Sequence, residues 1–229
     1  PAAPVIDQSG WVWRAEPSDR SPASQGVLSG WRLAVKDLIA VAGRPVLAGA
    51  AALADAMPEP FDAPVVASLR SRGATLVGTT KLHEFAFGTT GINSTFGTPD
   101  NPAAPGCIPG GSSSGSAVVI AAGEADIALG TDTGGSVRIP AALCGTVGFK
   151  PTYGALPTVG VFPLSVSLDH VGYLVADAER LVAPAGALGL DDGGRPGAAP
   201  RLGLARGALD LASPAVAAAV AAAADTLRR

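Results

Sequence analysis

Apolar and polar positions alternate along this chain in short, well-separated blocks. Residues 31–36, WRLAVK, alternate at a period of two and predict a strand ending at Lys36. DAPVVASLRSRGA at 62–74 spaces its apolar residues for a helix, with Asp62 as N-cap and Gly73 as stop. ATLVGTT at 74–80 then reads as a buried strand, making 62–80 one α–β step. Downstream, the pattern predicts a helix at 115–123, a strand at 125–131, and a helix from about 137. A strand and turn at 146–154 and a helix starting within 177–188 follow. Between these elements, HEFAFGTTGINSTFG at 83–97 is a glycine-threonine loop holding three of the six phenylalanines. Residues 1–30 read as an irregular arm, 31–190 as the core and 191–200 as a linker before 201–229. The expected class is α/β, a mixed sheet flanked by helices.

Composition narrows the class further. Of 229 residues 48% are hydrophobic and 15% charged, a composition that buries a large core and excludes a disordered chain. A net charge of −3 without basic clusters excludes a nucleic-acid-binding domain. Cys107 and Cys144 suit reduced thiols rather than a disulfide framework, and two histidines leave little from which to build a zinc site. No apolar run approaches the roughly 18 residues of a membrane span, and no signal pattern opens the chain, so a cytoplasmic location is expected. With only three lysines against thirteen arginines, each lysine calls for an explanation.

The chemistry concentrates in 110–140. GGSSSGS at 110–116 and TDTGGS at 131–136 flank an apolar run. Dense glycine lets a backbone turn tightly and present its N–H groups, and a serine beside such a backbone is a candidate nucleophile with an oxyanion hole. Neither stretch carries the lysine of a Walker phosphate loop, and no GxGxxG opens a helix. GSSSG at 111–115 matches the GxSxG nucleophile elbow. However, Pro99, Pro102, Pro105 and Pro109 stand where its buried strand belongs, and the adjacent Asp169 and His170 would point to opposite sheet faces.

Taken together, the two stretches resemble the amidase signature family of amide hydrolases. LAVKDLIAVAG at 33–43, GATLVGTTKLHEFAFG at 73–88, CGTVGFKPTYGALPTVGVFP at 144–163 and SLDHVG at 167–172 follow in the family's order. The resemblance implies hydrolysis of a carboxamide through a Ser–Ser–Lys triad and an acyl-enzyme, without metal or organic cofactor. It places Ser136 as nucleophile, Ser112 as the bridging serine (which in the family precedes its neighbour through a cis peptide bond), and Lys36 as base. It implies an oxyanion hole from the backbone N–H groups of Thr133, Gly134, Gly135 and Ser136. Phe87, Gly88 and Ser113 would border the substrate. Arg138, beside Asp132, would anchor the turn or meet a substrate carboxylate.

The chemistry is coherent from first principles. A serine hydroxyl attacks only when something accepts its proton, and a lysine accepts one only when burial lowers its pKa. Lys36 lies among Leu33, Ala34, Val35, Leu38 and Ile39, which favours burial. Lys150 and His83 read as structural, His83 as a hydrogen-bonded loop residue.

RLGLARGALDLASPAVAAAVAAAADTLRR at 201–229 resembles the strand and helix that open the family's second half, so the chain is expected to lack the C-terminal part of that domain. An open sheet edge invites pairing, and aggregation or a homodimer is expected from this segment alone. The expected partner is a small-molecule amide, with no membrane and no direct nucleic-acid contact. Two alternatives stand beside the hydrolase. One is the A subunit of the glutamyl-tRNA amidotransferase, a glutaminase that passes ammonia to a partner. The other is a non-catalytic, truncated remnant or interaction module.

Overall fold

The computed structural model describes residues 7–16, 25–190 and 203–227. The chain divides into two compact units, Pro1–Asp191 and Asp192–Arg229. In the first unit six strands build one mixed sheet: β1 (Trp11–Arg14), β2 (Arg32–Lys36), β3 (Thr75–Thr80), β4 (Ile127–Asp132), β5 (Val147–Phe149) and β6 (His170–Val175). Their order is β1-β3-β2-β4-β6-β5. β3, β2 and β4 run parallel, whereas β1, β6 and β5 are antiparallel to their neighbours. This is the α/β class with the mixed sheet that the sequence implies.

Period-two alternation sends successive side chains to opposite faces of the sheet. Leu33, Val35, Ile127, Leu129, Val171 and Tyr173 join one core, with Val65, Val66 and Leu69 of helix α1 (Pro64–Ser71). Ala34, Ala128 and Leu174 join the other, with helices α2 (Ser114–Ala121) and α3 (Arg138–Cys144). Small residues in β2 and β4 on that face let α2 lie close, and α2 is buried along Ser114–Ile120, so its apolar residues do not keep to one face. α4 (Val182–Ala187) follows a 3₁₀ turn at Glu179–Leu181, later than the helix start read at 177.

Three expectations are corrected. Trp11–Arg14, inside the stretch read as irregular, form a strand on β3. Gly78 permits this, because a Cβ there would lie 2.4 Å from the Trp13 carbonyl oxygen and 2.7 Å from the Trp11 ring. Asp62 does not cap α1. The N-cap is Ala63, with Pro64 setting the first turn, while Asp62 accepts the Ala42 N–H (2.8 Å) and pairs with Arg70. In the second unit α5 (Arg206–Leu209) and α6 (Pro214–Leu227) are helical, but the strand expected early in 201–229 does not form among the described residues. That unit offers no described strand to satisfy its backbone groups. The linker expected at 191–200 lies outside the described residues.

Candidate active site

Because β2 and β4 are parallel neighbours, their carboxyl ends come out side by side. Lys36 closes β2, and Thr131 and Asp132 close β4. Lys36 is wholly buried, and its Nζ donates to Ser112 Oγ and to Thr131 Oγ1, both at 2.7 Å. Burial drives the lysine pKa down to about 7, against the pull of the Asp132 and Asp169 charges. A lysine in this state is a competent proton acceptor near neutrality.

Ser112 lies in the loop that feeds α2. The cis peptide is Gly111–Ser112, one bond earlier than the resemblance implied. The loop is held from two sides. The Ser112 carbonyl accepts the His83 N–H at 3.0 Å, and the Ser113 N–H donates to the Ser136 carbonyl at 3.1 Å, which joins the two Gly-Ser stretches. Ser113 does not line the cavity at Ser136. It is fully buried, with its Oγ donating to the Thr131 carbonyl at 3.3 Å. Gly130 makes room for it, since a Cβ there would lie 2.7 Å from Ser113 Oγ.

Asp132 organises the turn that carries Ser136. Its carboxylate accepts the N–H groups of Gly135 (2.8 Å) and Val137 (3.2 Å) and the Arg138 guanidinium at 2.8 and 3.0 Å. Burial pushes this carboxyl up, but the Arg138 fork and the backbone donors outweigh it and hold the carboxyl below its ordinary range. Two expectations change here. Arg138 anchors the turn and does not line the cavity at Ser136. The Gly135 N–H is already engaged by Asp132, whereas those of Thr133, Gly134 and Ser136 have no partner among the described residues.

Ser136 is nearly buried, and its hydroxyl makes no hydrogen bond among the described residues. It lines a cavity of about 420 Å³ together with the 86–89 turn, Thr133, Gly134 and Leu164. Phe87 and Gly88 therefore border the same space as Ser136. Gly88 is required by a close approach, because a Cβ would lie 2.3 Å from His83 Nε2. His83 is held by the Thr90 hydroxyl at 3.3 Å from Nδ1, and Lys150 donates to the Pro151 carbonyl. The structure thus joins Lys36 to Ser112 by side chains and ties the Ser112 loop to Ser136 by backbone.

The sequence pattern did not mark two participants. Thr131 is the second hydroxyl on Lys36; its signal was its place at the end of a strand, five residues before Ser136. Asp169 bonds the Thr133 hydroxyl at 2.6 Å; its signal was a lone acid opening β6. Among the described residues no group of three His, Cys, Asp or Glu side chains is placed to hold a metal, and no helix is long and apolar enough to cross a membrane. Both cysteines are free, Cys107 exposed and Cys144 buried.

The Amidase family model matches residues 5–190 of this chain. The A subunit of glutamyl-tRNA(Gln) amidotransferase from Natronomonas pharaonis is 52% identical over 159 residues, covering 69% of this chain and 37% of that protein. The chain therefore spans little more than a third of the length of that curated relative. Among solved structures, the A subunit of the glutamyl-tRNA(Gln) amidotransferase from Thermotoga maritima superposes with a TM-score of 0.71 at 36% identity, covering 79% of this chain and 38% of that one. A chain from a vestigial protein complex, described as revealing the origins of an s-triazine catabolic enzyme, gives a TM-score of 0.77 at 37% identity. That match covers 89% of this chain and 49% of the other.

Proposed function

This chain belongs to the amidase signature family, and on that premise we propose that it carries the amide-cleaving centre of an amidotransferase of the A-subunit type. The observation that carries the reading is the buried Lys36, bonded only to the hydroxyls of Ser112 and Thr131 among the described residues and brought to a pKa of about 7. In the route we infer, Ser136 Oγ attacks the amide carbonyl while its proton passes through the Ser112 hydroxyl to neutral Lys36. The N–H groups of Thr133, Gly134 and Ser136 receive the developing oxyanion. Collapse breaks the C–N bond, with the proton returning through Ser112 to the departing nitrogen as ammonia leaves. Water then cleaves the Ser136 ester, releasing the acid and restoring the hydroxyl.

Similarity to the amidotransferase subunits supports glutamine as the amide and another protein of the same assembly as the partner that takes up the ammonia. The test is ammonia release from glutamine by the purified protein, alone and with amidotransferase partner subunits and charged tRNA, beside its Ser136→Ala form. Release that depends on Ser136 and rises with the partners supports the reading. A second reading, an amidase acting on another carboxamide, draws on the high coverage of the s-triazine-related chain. Ser136-dependent turnover of simple amides with none of glutamine would favour it.

A further inference from the structure

We propose that Asp169 is a positioning residue that ties the oxyanion loop to the 164–165 segment of the cavity lining; this rests on the hydrolytic reading above. Asp169 sits just before β6, where that strand begins to pair with the end of β4 in the register Asp132 to His170. Its carboxylate faces two loops at once. One oxygen, Oδ1, accepts the Thr133 hydroxyl at 2.6 Å. The other, Oδ2, accepts the N–H groups of Leu164 and Ser165, each at 2.9 Å. Its own N–H closes the 165–169 turn on the Ser165 carbonyl at 2.8 Å. The side chain is nearly buried, so these bonds are little diluted by water.

The residues that Asp169 joins belong to two segments that line the same site. Thr133 and Leu164 both line the cavity that holds Ser136. Thr133 also carries one of the three unengaged backbone N–H groups beside the nucleophile. Asp132 holds the far end of the same turn through Gly135, Val137 and Arg138, and leaves Thr133 to be held from elsewhere. Asp169 supplies that hold. Without it, Thr133 is free to rotate its N–H away from the oxyanion, and the 164–165 segment loses the acceptor for two of its amides. An oxyanion donor displaced in this way lowers transition-state binding rather than substrate binding, so the change should fall on kcat.

The test uses Asp169→Ala, Asp169→Asn, Thr133→Val and the double variant Asp169→Ala/Thr133→Val. Each is assayed for kcat and KM per site, with sites titrated by a fluorophosphonate. Asparagine keeps the geometry without the charge: its oxygen can accept the two N–H groups while its amide donates to the Thr133 oxygen. We expect Asp169→Ala to lower kcat about 10- to 100-fold with KM changed less than about threefold, and Asn to restore most of it. The double variant should be no worse than Asp169→Ala alone, because both remove one link. Unchanged kcat per titrated site in Asp169→Ala, or multiplicative losses in the double variant, would overturn the proposal. Should Asp169→Ala fail to fold, Thr133→Val and Asp169→Asn decide it: a loss confined to KM in Thr133→Val, or no recovery in a folded Asn variant, counts against it. Failure of the hydrolytic reading is separately visible, as absence of titratable sites in the wild type.

Discussion

Lys36 Nζ and Ser112 Oγ, 76 positions apart in the chain, meet at 2.7 Å in a place where the lysine has no exposure to water. No carboxylate lies within ion-pair distance of that amine among the described residues, and its two partners are neutral hydroxyls. A cation gains little there, which is the physical reason for the lowered pKa.

The pH dependence of the reaction follows from that amine. In the proposed route Lys36 must be neutral to accept the proton, so kcat/KM should rise about tenfold per pH unit below the Lys36 pKa and level off above about 7. A pH–rate profile checks this, and a limb near the ordinary lysine value would contradict it.

Stability should show the same group with its own sign. The folded pKa of about 7 lies below the ordinary lysine value of 10.5, so between these values the folded state binds fewer protons than the unfolded state. The burial penalty is full below pH 7 and fades as the pH rises toward 10.5. Lys36→Met, which keeps the length without the charge, should abolish turnover yet raise Tm more at pH 6 than at pH 10. Thermal melts at the two pH values test it.

Asp37 predicts a trend of the opposite hand. Burial pushes its carboxyl up to about 8, one oxygen accepts the Leu47 N–H at 3.3 Å, and Oδ2 has no partner among the described residues. Its folded pKa exceeds the unfolded 3.8, so the stability it contributes is complete below pH 3.8 and is lost as the pH rises through 8. Asp37→Asn should therefore raise Tm more at pH 9 than at pH 5, as followed by melts. An equal shift at both would contradict the assignment.

Loss of the Asp132 carboxylate should open the turn that carries Ser136. Asp132→Ala leaves the Gly135 and Val137 amides and the Arg138 guanidinium without their acceptor, and kcat should fall about 100- to 1000-fold. Arg138→Met should cost less, because the backbone donors keep their carboxylate. Steady-state kinetics on both variants decides the order.

Gly130→Ala should destabilise without touching a proposed reacting group. The added Cβ would meet Ser113 Oγ at 2.7 Å and Val137 Cγ2 at 3.0 Å, an overpacking expected to cost about 1–3 kcal/mol. Urea unfolding measures it.

Much of this site was legible in the chain because each principal residue sits in a glycine-rich or apolar setting with few alternatives. Lys36 closes an alternating strand, and Ser112 and Ser136 lie in turns dense with glycine. Thr131 and Asp169 were not legible as partners, since a threonine at a strand end and an acid before a strand are common and only the register of β2, β4 and β6 brings them inward. β1 was hidden because its tryptophans lie among Pro, Ser and Asp, and only the gap at Gly78 reveals the surface on which they pack. The strand expected early in 201–229 is absent among the described residues for a related reason: its local pattern permits a strand, but pairing requires a neighbour.

The central claim is that Ser136 is an activated nucleophile, and intact-mass spectrometry after incubation with a fluorophosphonate tests it most directly. The account predicts a single adduct on the folded wild-type protein, none on Ser136→Ala, and strongly slowed labelling of Lys36→Met. An adduct that persists in Ser136→Ala, or a folded wild type that takes up no label, would contradict it.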